Sequence, residues 1–295
     1  IVHSAIWTGS EMIVWGGYDG SDIGSGGKYE PSTNAWIPTA TAGSPSPRRW
    51  HIAVWTGAEM IVWGGYSSST GNYVATGARY NPTQDVWFPT TTIDVPTGRY
   101  RHTGVWTGSE MIVWGGYVGG SSRAYLDSGG RYNPLLDAWS AMTTINAPSG
   151  RNLHTAIWTG SEMIVWGGYD GIGPTNTGGR YDPLIDAWIP TTTVDAPEGR
   201  YFYPAVWTSS EMIVWGGNGS FFVGGYINSG GRYDVLTNVW SIIPTINAPS
   251  PRYFHSAIWT GEDMILWGGE VAYGSTPTDT DTGGIYNPDA ESWMG

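Results

Sequence analysis

The chain contains no cysteine. Disulfides, thiolate zinc sites and cysteine nucleophiles are therefore excluded, while the compartment stays open. Cationic charge is scarce: one lysine and twelve arginines stand against 25 acidic residues, for a formal net charge of −12. An acidic chain without basic clusters argues against nucleic acid and against anionic membrane surfaces. No apolar run approaches the ~20 residues of a membrane-spanning helix. No leader of the charged-then-apolar kind opens the sequence, and Ile1 already falls inside a repeat, so the start reads as trimmed. P-loop, HExxH, EF-hand and nucleophile-elbow patterns are all missing, and "TPTDTDTGG" from Thr276 lacks the spacing of a calcium loop.

What the chain has instead is one segment in six copies. "AIWTGSEMIVWGG" runs from Ala5 to Gly17 and returns from Ala53, Gly104, Ala156, Ala205 and Ala257. Its first tryptophans are Trp7, Trp55, Trp106, Trp158, Trp207 and Trp259, at intervals of 48, 51, 52, 49 and 52 residues. A period of this length sets the architecture. Each copy reads as two strands joined by a Gly-containing turn; in the first, Ile1, Val2 and His3 already belong to strand a, which Ala5–Thr8 ends, and Met12–Trp15 runs back. The runs do not alternate with polar residues, which predicts that both faces are covered. After the glycine pair comes a polar loop, then a third and a fourth strand carrying Tyr and Trp seven residues apart, from Tyr29 and Trp36 to Tyr286 and Trp293. Eighteen of the nineteen tryptophans obey the period, Trp50 being the exception, so the patterned indoles are expected in the core. Trp114 is the type case, and Tyr117 beyond it is expected on the surface.

A glycine pair closing the second strand, followed by Tyr and Trp at fixed spacing in a ~50-residue four-stranded unit, resembles the kelch repeat. The resemblance covers essentially the whole chain. It implies an all-β, six-bladed β-propeller of four-stranded antiparallel blades, strand a innermost. The blades would be approximately 1–45, 46–96, 97–148, 149–197, 198–249 and 250–295 of one propeller spanning 1–295. Kelch rings commonly close by mixing strands from both termini in one blade. Here each blade is continuous in sequence, which implies closure by face packing.

The loops between strands b and c vary in length and sequence, and insertions in repeat proteins collect on the binding face. Kelch proteins that bind partners use this face, including the residues after the glycine pair, here Tyr18, Tyr66, Tyr117, Tyr169, Asn218 and Glu270. The bland alternative is a set of solvated loops. Before strand a stands an arginine in five repeats: Arg48, Arg99, Arg151, Arg200 and Arg252. These would either hold an anion at the channel mouth or donate to carbonyls and carboxylates of a neighbouring blade. The residues after them break the symmetry, which marks Arg49, Trp50, Tyr100, Arg101, Tyr201 and Tyr253 as ligand candidates. His3, His51, His102, His154 and His255, with Tyr203 in the fifth repeat, are one per blade, which suits inter-blade hydrogen bonds better than a metal. Glu11, Glu59, Glu110, Glu162, Glu211 and Asp263 at the a–b turns would ring the opposite face, there to hold a cation or to cap turn amides. Together the two rings predict a positive throat above and a negative rim below.

The resulting expectation is a non-catalytic module that binds a protein segment or a glycan, with no cofactor, no nucleic acid and no membrane insertion, monomeric or part of a larger chain. Secretion or a bacterial cell surface is the favoured setting. The alternatives are a sugar-modifying enzyme of the mutarotase or epimerase kind, with its site at the channel mouth, and a pseudo-symmetric scaffold without a ligand. A copper radical oxidase of the galactose oxidase kind needs a cysteine joined to its tyrosine, and this chain has none.

Overall fold

A computed structural model of the chain describes residues 1–119, 124–219, 225–273 and 276–294. Parts of three b–c loops lie outside the described residues. No helix occurs among those described; six four-stranded antiparallel sheets do, each in the order a-b-c-d. Blade three is representative, with strands Thr103–Trp106, Met111–Trp114, Gly129–Asn133 and Ala138–Ala141. The chain divides into two compact units of three blades each, Ile1–Met142 and Thr143–Gly295.

The repeated segment forms the expected hairpin, with Thr103 opposite Trp114 and Trp106 opposite Met111. A threonine just after strand a closes the turn. Thr107 Oγ1 accepts from the amides of Ser109 and Glu110, and Thr8, Thr56, Thr159, Thr208 and Thr260 do the same in the other repeats. The hydroxyl therefore does the capping that was one reading of the acidic turn residues. Strand b is buried on both faces: Met111, Ile112, Val113 and Trp114 have no exposure.

Each core lies between consecutive blades. In the first unit Ile13 and Trp15 of blade one pack with Met60, Val62, Tyr80 and Trp87 of blade two. The strand d indole covers the strand b indole of the preceding repeat, as in Trp87 on Trp15 at 5.6 Å and Trp139 on Trp63 at 5.2 Å. The second unit repeats this with Trp240 on Trp166 and Trp293 on Trp215. Not every patterned indole is core. Trp36 and Trp267 are 55% and 61% exposed, and Trp7 is exposed as well. The strand a indoles Trp55, Trp106, Trp158, Trp207 and Trp259 are half-buried.

The seven-residue spacing puts Tyr and Trp directly opposite on strands c and d, as in Tyr80 and Trp87. Between them sits a residue in the left-handed region, Asp85 at φ 54°. Its carboxylate accepts from Tyr80 Oη at 2.5 Å and from the amide of Ala40 in the preceding repeat at 2.8 Å. Asp137, Asp186 and Asn238 latch Thr91, Thr143 and Thr192 in the same way.

The glycine pair has a steric cause. Gly64 has φ +73°, and a Cβ there would lie 2.5 Å from Cε1 of His102 in the next blade. Gly16 and Gly216 meet His51 and His255 likewise, while Gly167 meets the Tyr203 hydroxyl. A large ring in one repeat thus requires the missing side chain in its neighbour.

Candidate binding face

The five arginines before strand a are at most 1% exposed. Their guanidinium groups root the b–c loop of their own blade. Arg151 Nη1 donates to the carbonyls of Gly167 (3.0 Å) and Thr177 (2.7 Å), Nη2 to the hydroxyls of Ser149 and Thr177, and Nε to Ser149 O. Arg48, Arg99, Arg200 and Arg252 donate to the equivalent carbonyls. Their main-chain carbonyls meanwhile accept from the second glycine of the preceding pair, as in Gly65 to Arg99 at 2.8 Å and Gly217 to Arg252 at 2.8 Å. Burial pushes Arg48, Arg99, Arg151 and Arg200 down to about 10, and Arg252 down also. The channel-mouth expectation is corrected accordingly: these side chains face carbonyl and hydroxyl oxygens inside the protein and present no open anion site.

The acidic turn residues are also engaged. Glu59, Glu110, Glu162 and Glu211 lie 3.2–4.0 Å from the strand c arginines Arg79, Arg131, Arg180 and Arg232, and Asp263 accepts from Asn287. A rim of uncompensated carboxylates is therefore not what the chain forms. Among the described residues, no group of three or more His, Asp or Glu is placed to hold a metal ion. His51, His102, His154 and His255 are buried behind the glycine pairs, whereas His3 is exposed. His51 Nε2 lies 2.7 Å from Ser4 Oγ of the preceding blade. Burial in the main, helped by the neighbouring Arg48 and Arg252, pushes His51 and His255 down to about 3.

The residue after each buried arginine pairs through its backbone with the residue after the glycine pair: Arg49 with Tyr66, Tyr100 with Tyr117, Asn152 with Tyr169, Tyr201 with Asn218 and Tyr253 with Glu270. Two candidate rows far apart in sequence thus become neighbours on one edge. The next residue along is left-handed in every case: Trp50, Arg101, Leu153, Phe202 and Phe254 have φ between 55° and 57°. Bulky side chains in this region signal strain held by the surrounding structure. The amide of Arg101 donates to Trp50 O (3.3 Å) and that of Phe254 to Phe202 O (3.1 Å), so successive blades fix these positions.

In the first unit these side chains build an aromatic surface. The Arg49 guanidinium lies 4.5 Å from the Tyr18 ring centroid and 5.0 Å from that of Tyr66, and pairs with Asp22 at 2.8 Å. Asp22 also accepts from the amide and hydroxyl of Ser68, tying two adjacent loops together. Arg101 stacks on Trp50 at 4.6 Å and on Tyr100 at 5.1 Å. Tyr73 stands among Tyr66 (5.3 Å), Tyr100 (5.1 Å) and Tyr117 (6.3 Å). Arg49, Trp50, Tyr66, Tyr73, Tyr100 and Arg101 line an open cleft of about 260 Å³. Tyr117 is half-buried rather than exposed, because it packs on Tyr125 at 4.9 Å as well as on Tyr100.

The second unit carries a separate cluster. Phe202 and Phe254 are 4.1 Å apart, and Tyr226 stacks on Tyr253 at 4.9 Å. Tyr253 Oη donates to Glu270 at 2.7 Å; burial and that hydrogen bond hold its phenol well above the usual range. Tyr201 lies 6.2 Å from Tyr169 and is likewise raised by burial. Sequence reasoning missed Asp22, Tyr73 and Tyr226, all in the variable loops. An aromatic in a loop that the repeat does not dictate is the signal that would have marked the two tyrosines.

Four-stranded antiparallel blades, glycine pairs fitted to a ring from the next repeat, and opposed Tyr–Trp pairs define a kelch-type β-propeller protein. The KLHDC2/KLHL20/DRC7 kelch-repeats domain matches residues 51–269, and the chain belongs to the kelch-repeat family. It is also similar to the Rho GTPase-activating protein gacHH of Dictyostelium discoideum, 34% identical over 89 residues. That match takes in 28% of this chain and 6% of that protein. Kelch-repeat domains in general mediate protein–protein interaction.

Proposed function

We propose that this chain is a non-catalytic binding module that recognises a protein segment on the face formed by its b–c loops and d–a links, seated on the aromatic cleft of the first unit. The observation that carries the reading is the convergence of Tyr66, Tyr73 and Tyr100 on Arg49, Trp50 and Arg101 around one open cleft. Tyr, Trp and Arg are the side chains that dominate interface energetics, since they bury large area with few rotors to freeze. Their backbones are fixed by cross-link pairing and by the left-handed positions, so little ordering cost falls on binding. Arg49 and Asp22 are tied to each other and to Ser68, an arrangement that favours recognition over proton transfer.

The test is selection of a displayed random-peptide library on the intact chain, followed by titration of the enriched peptides. Affinity is expected to fall at least tenfold in Tyr100→Ala and in Arg101→Ala, with a urea-midpoint shift no larger than that of Tyr117→Ala, which removes a ring from the same cluster. Peptides that bind both variants as tightly as the parent would overturn the reading, as would capture of glycans with no peptide enriched.

A further inference from the structure

The face opposite the variable loops carries a second kind of site that the repeat itself builds. Between blades two and three, Thr56, Glu59 and Arg79 form one wall of a notch, and Trp106, Ser109 and Leu135 the other, enclosing about 420 Å³. Between blades four and five the equivalent walls are Ser161, Glu162 and Arg180 against Trp207, Ser210 and Leu236, enclosing about 460 Å³. A smaller notch of about 220 Å³ between blades five and six sets Thr208 and Glu211 against Trp259, Glu262 and Asp289. Ser210 lines two of the three.

The chemistry of a notch is specific. The a–b turn carboxylate of each faces a strand c arginine. Arg79 donates to Glu59 at 3.2 Å, whereas Arg180 and Arg232 stand 3.8 Å from Glu162 and Glu211, beyond hydrogen-bond distance, so there the balance is coulombic. Arg180 spends a donor on Val235 O and Arg232 one on Pro288 O. Among the described residues no donor reaches the side-chain oxygens of Glu162 or Glu211, which stay 19% and 24% exposed. Opposite lies a half-buried indole. An apolar side chain entering the notch would desolvate that carboxylate without supplying a donor, at a cost. A neutral polyol would donate hydroxyls to the carboxylate and lay its C–H face against the indole.

We propose that these inter-blade notches are a repeated binding site for neutral polysaccharide, one sugar unit or two per notch, on the a–b turn side of each unit. Neighbouring sites that share Ser210 favour a ligand that itself repeats, because tethered units can occupy both notches at high effective concentration.

The probes are galactomannan, xyloglucan, glucomannan and dextran, cast one at a time into native gels, with the corresponding neutral hexasaccharides as soluble competitors. At least one polymer should retard the intact chain, with a gain over its hexasaccharide of about tenfold or more. Ser210→Trp fills two notches from an exposed turn, and the double variant Glu162→Gln, Glu211→Gln removes the acceptor charge while keeping shape. Each should weaken retardation several-fold at an unchanged urea midpoint, and Tyr100→Ala should leave it intact. The proposal is overturned if no polymer retards the chain, if both notch variants bind like the parent, or if Tyr100→Ala abolishes retardation, which would move the sugar to the cleft.

Discussion

His51→Tyr turns the inter-blade contact into a measurement. In blade five the repeat already uses Tyr203 in this place, its hydroxyl over Gly167 and donating to Trp166 O at 2.6 Å, so the fold accepts the exchange. His51 instead titrates, with burial holding its imidazole at about 3 against an ordinary 6.5. A depressed pKa means that between these values the unfolded chain binds a proton the native state refuses. Stability is therefore full above about pH 6.5 and is lost as pH falls towards 3. Integrating from pH 7 to pH 5 gives a loss of about 2 kcal/mol for one such histidine. Urea titrations followed by tryptophan fluorescence at both pH values measure the loss in parent and variant. Carboxylate contributions are common to the two chains and cancel in the difference, and loss of the Ser4 contact shifts both pH values equally. The variant should lose about 2 kcal/mol less than the parent over this interval. Equal losses would refute the idea that His51 stays neutral in the native state.

Two further expectations concern packing. Trp114→Ala should cost about 3–5 kcal/mol in urea denaturation, as a large-to-small change at a fully buried site. Tyr117→Ala should cost about 1 kcal/mol, through lost ring contacts with Tyr100 and Tyr125; equal losses at the two sites would show core and surface misassigned. Arg151→Met strips the donors from the carbonyls of Gly167 and Thr177 and should cost about 3 kcal/mol. Amide hydrogen exchange should rise first in the loop 168–177, and unchanged exchange there would show that the guanidinium does not root it.

The blades were legible in the sequence because their determinants are local and repeated. The Gly-containing turn, the apolar strand b and the Tyr–Trp spacing each fix a register within about 15 residues, although strand a, expected from Ile1 through Thr8, is Ser4–Trp7. Of the two readings of the arginine row, donation to carbonyls holds, within the arginine's own blade, while the anion site at the channel mouth fails for a physical reason. Position beside strand a is readable, but the direction of a six-bond side chain depends on carbonyls 16 and 26–30 residues away. Exposure of Trp36 and Trp267 was equally hidden, since the repeat pattern assigns every copy of an indole the same surroundings. For the candidate face, the two rows were identified separately. What the sequence did not reveal is that Tyr73, from an irregular loop, completes the cleft and that Asp22, from another, holds Arg49 in it.

The left-handed residues Trp50, Arg101, Leu153, Phe202 and Phe254 have a consequence for how such a surface diversifies. Their backbone geometry is imposed by the frame, and bulky side chains without a branch at Cβ meet a similar conformational penalty there. Exchanging one bulky residue for another at these sites is therefore close to neutral for stability, while it changes the chemistry offered to a ligand from indole to guanidinium to phenyl. These strained positions act as a set of interchangeable sockets. Recognition can drift from one partner to another by point substitution, with no compensating change in the blades beneath.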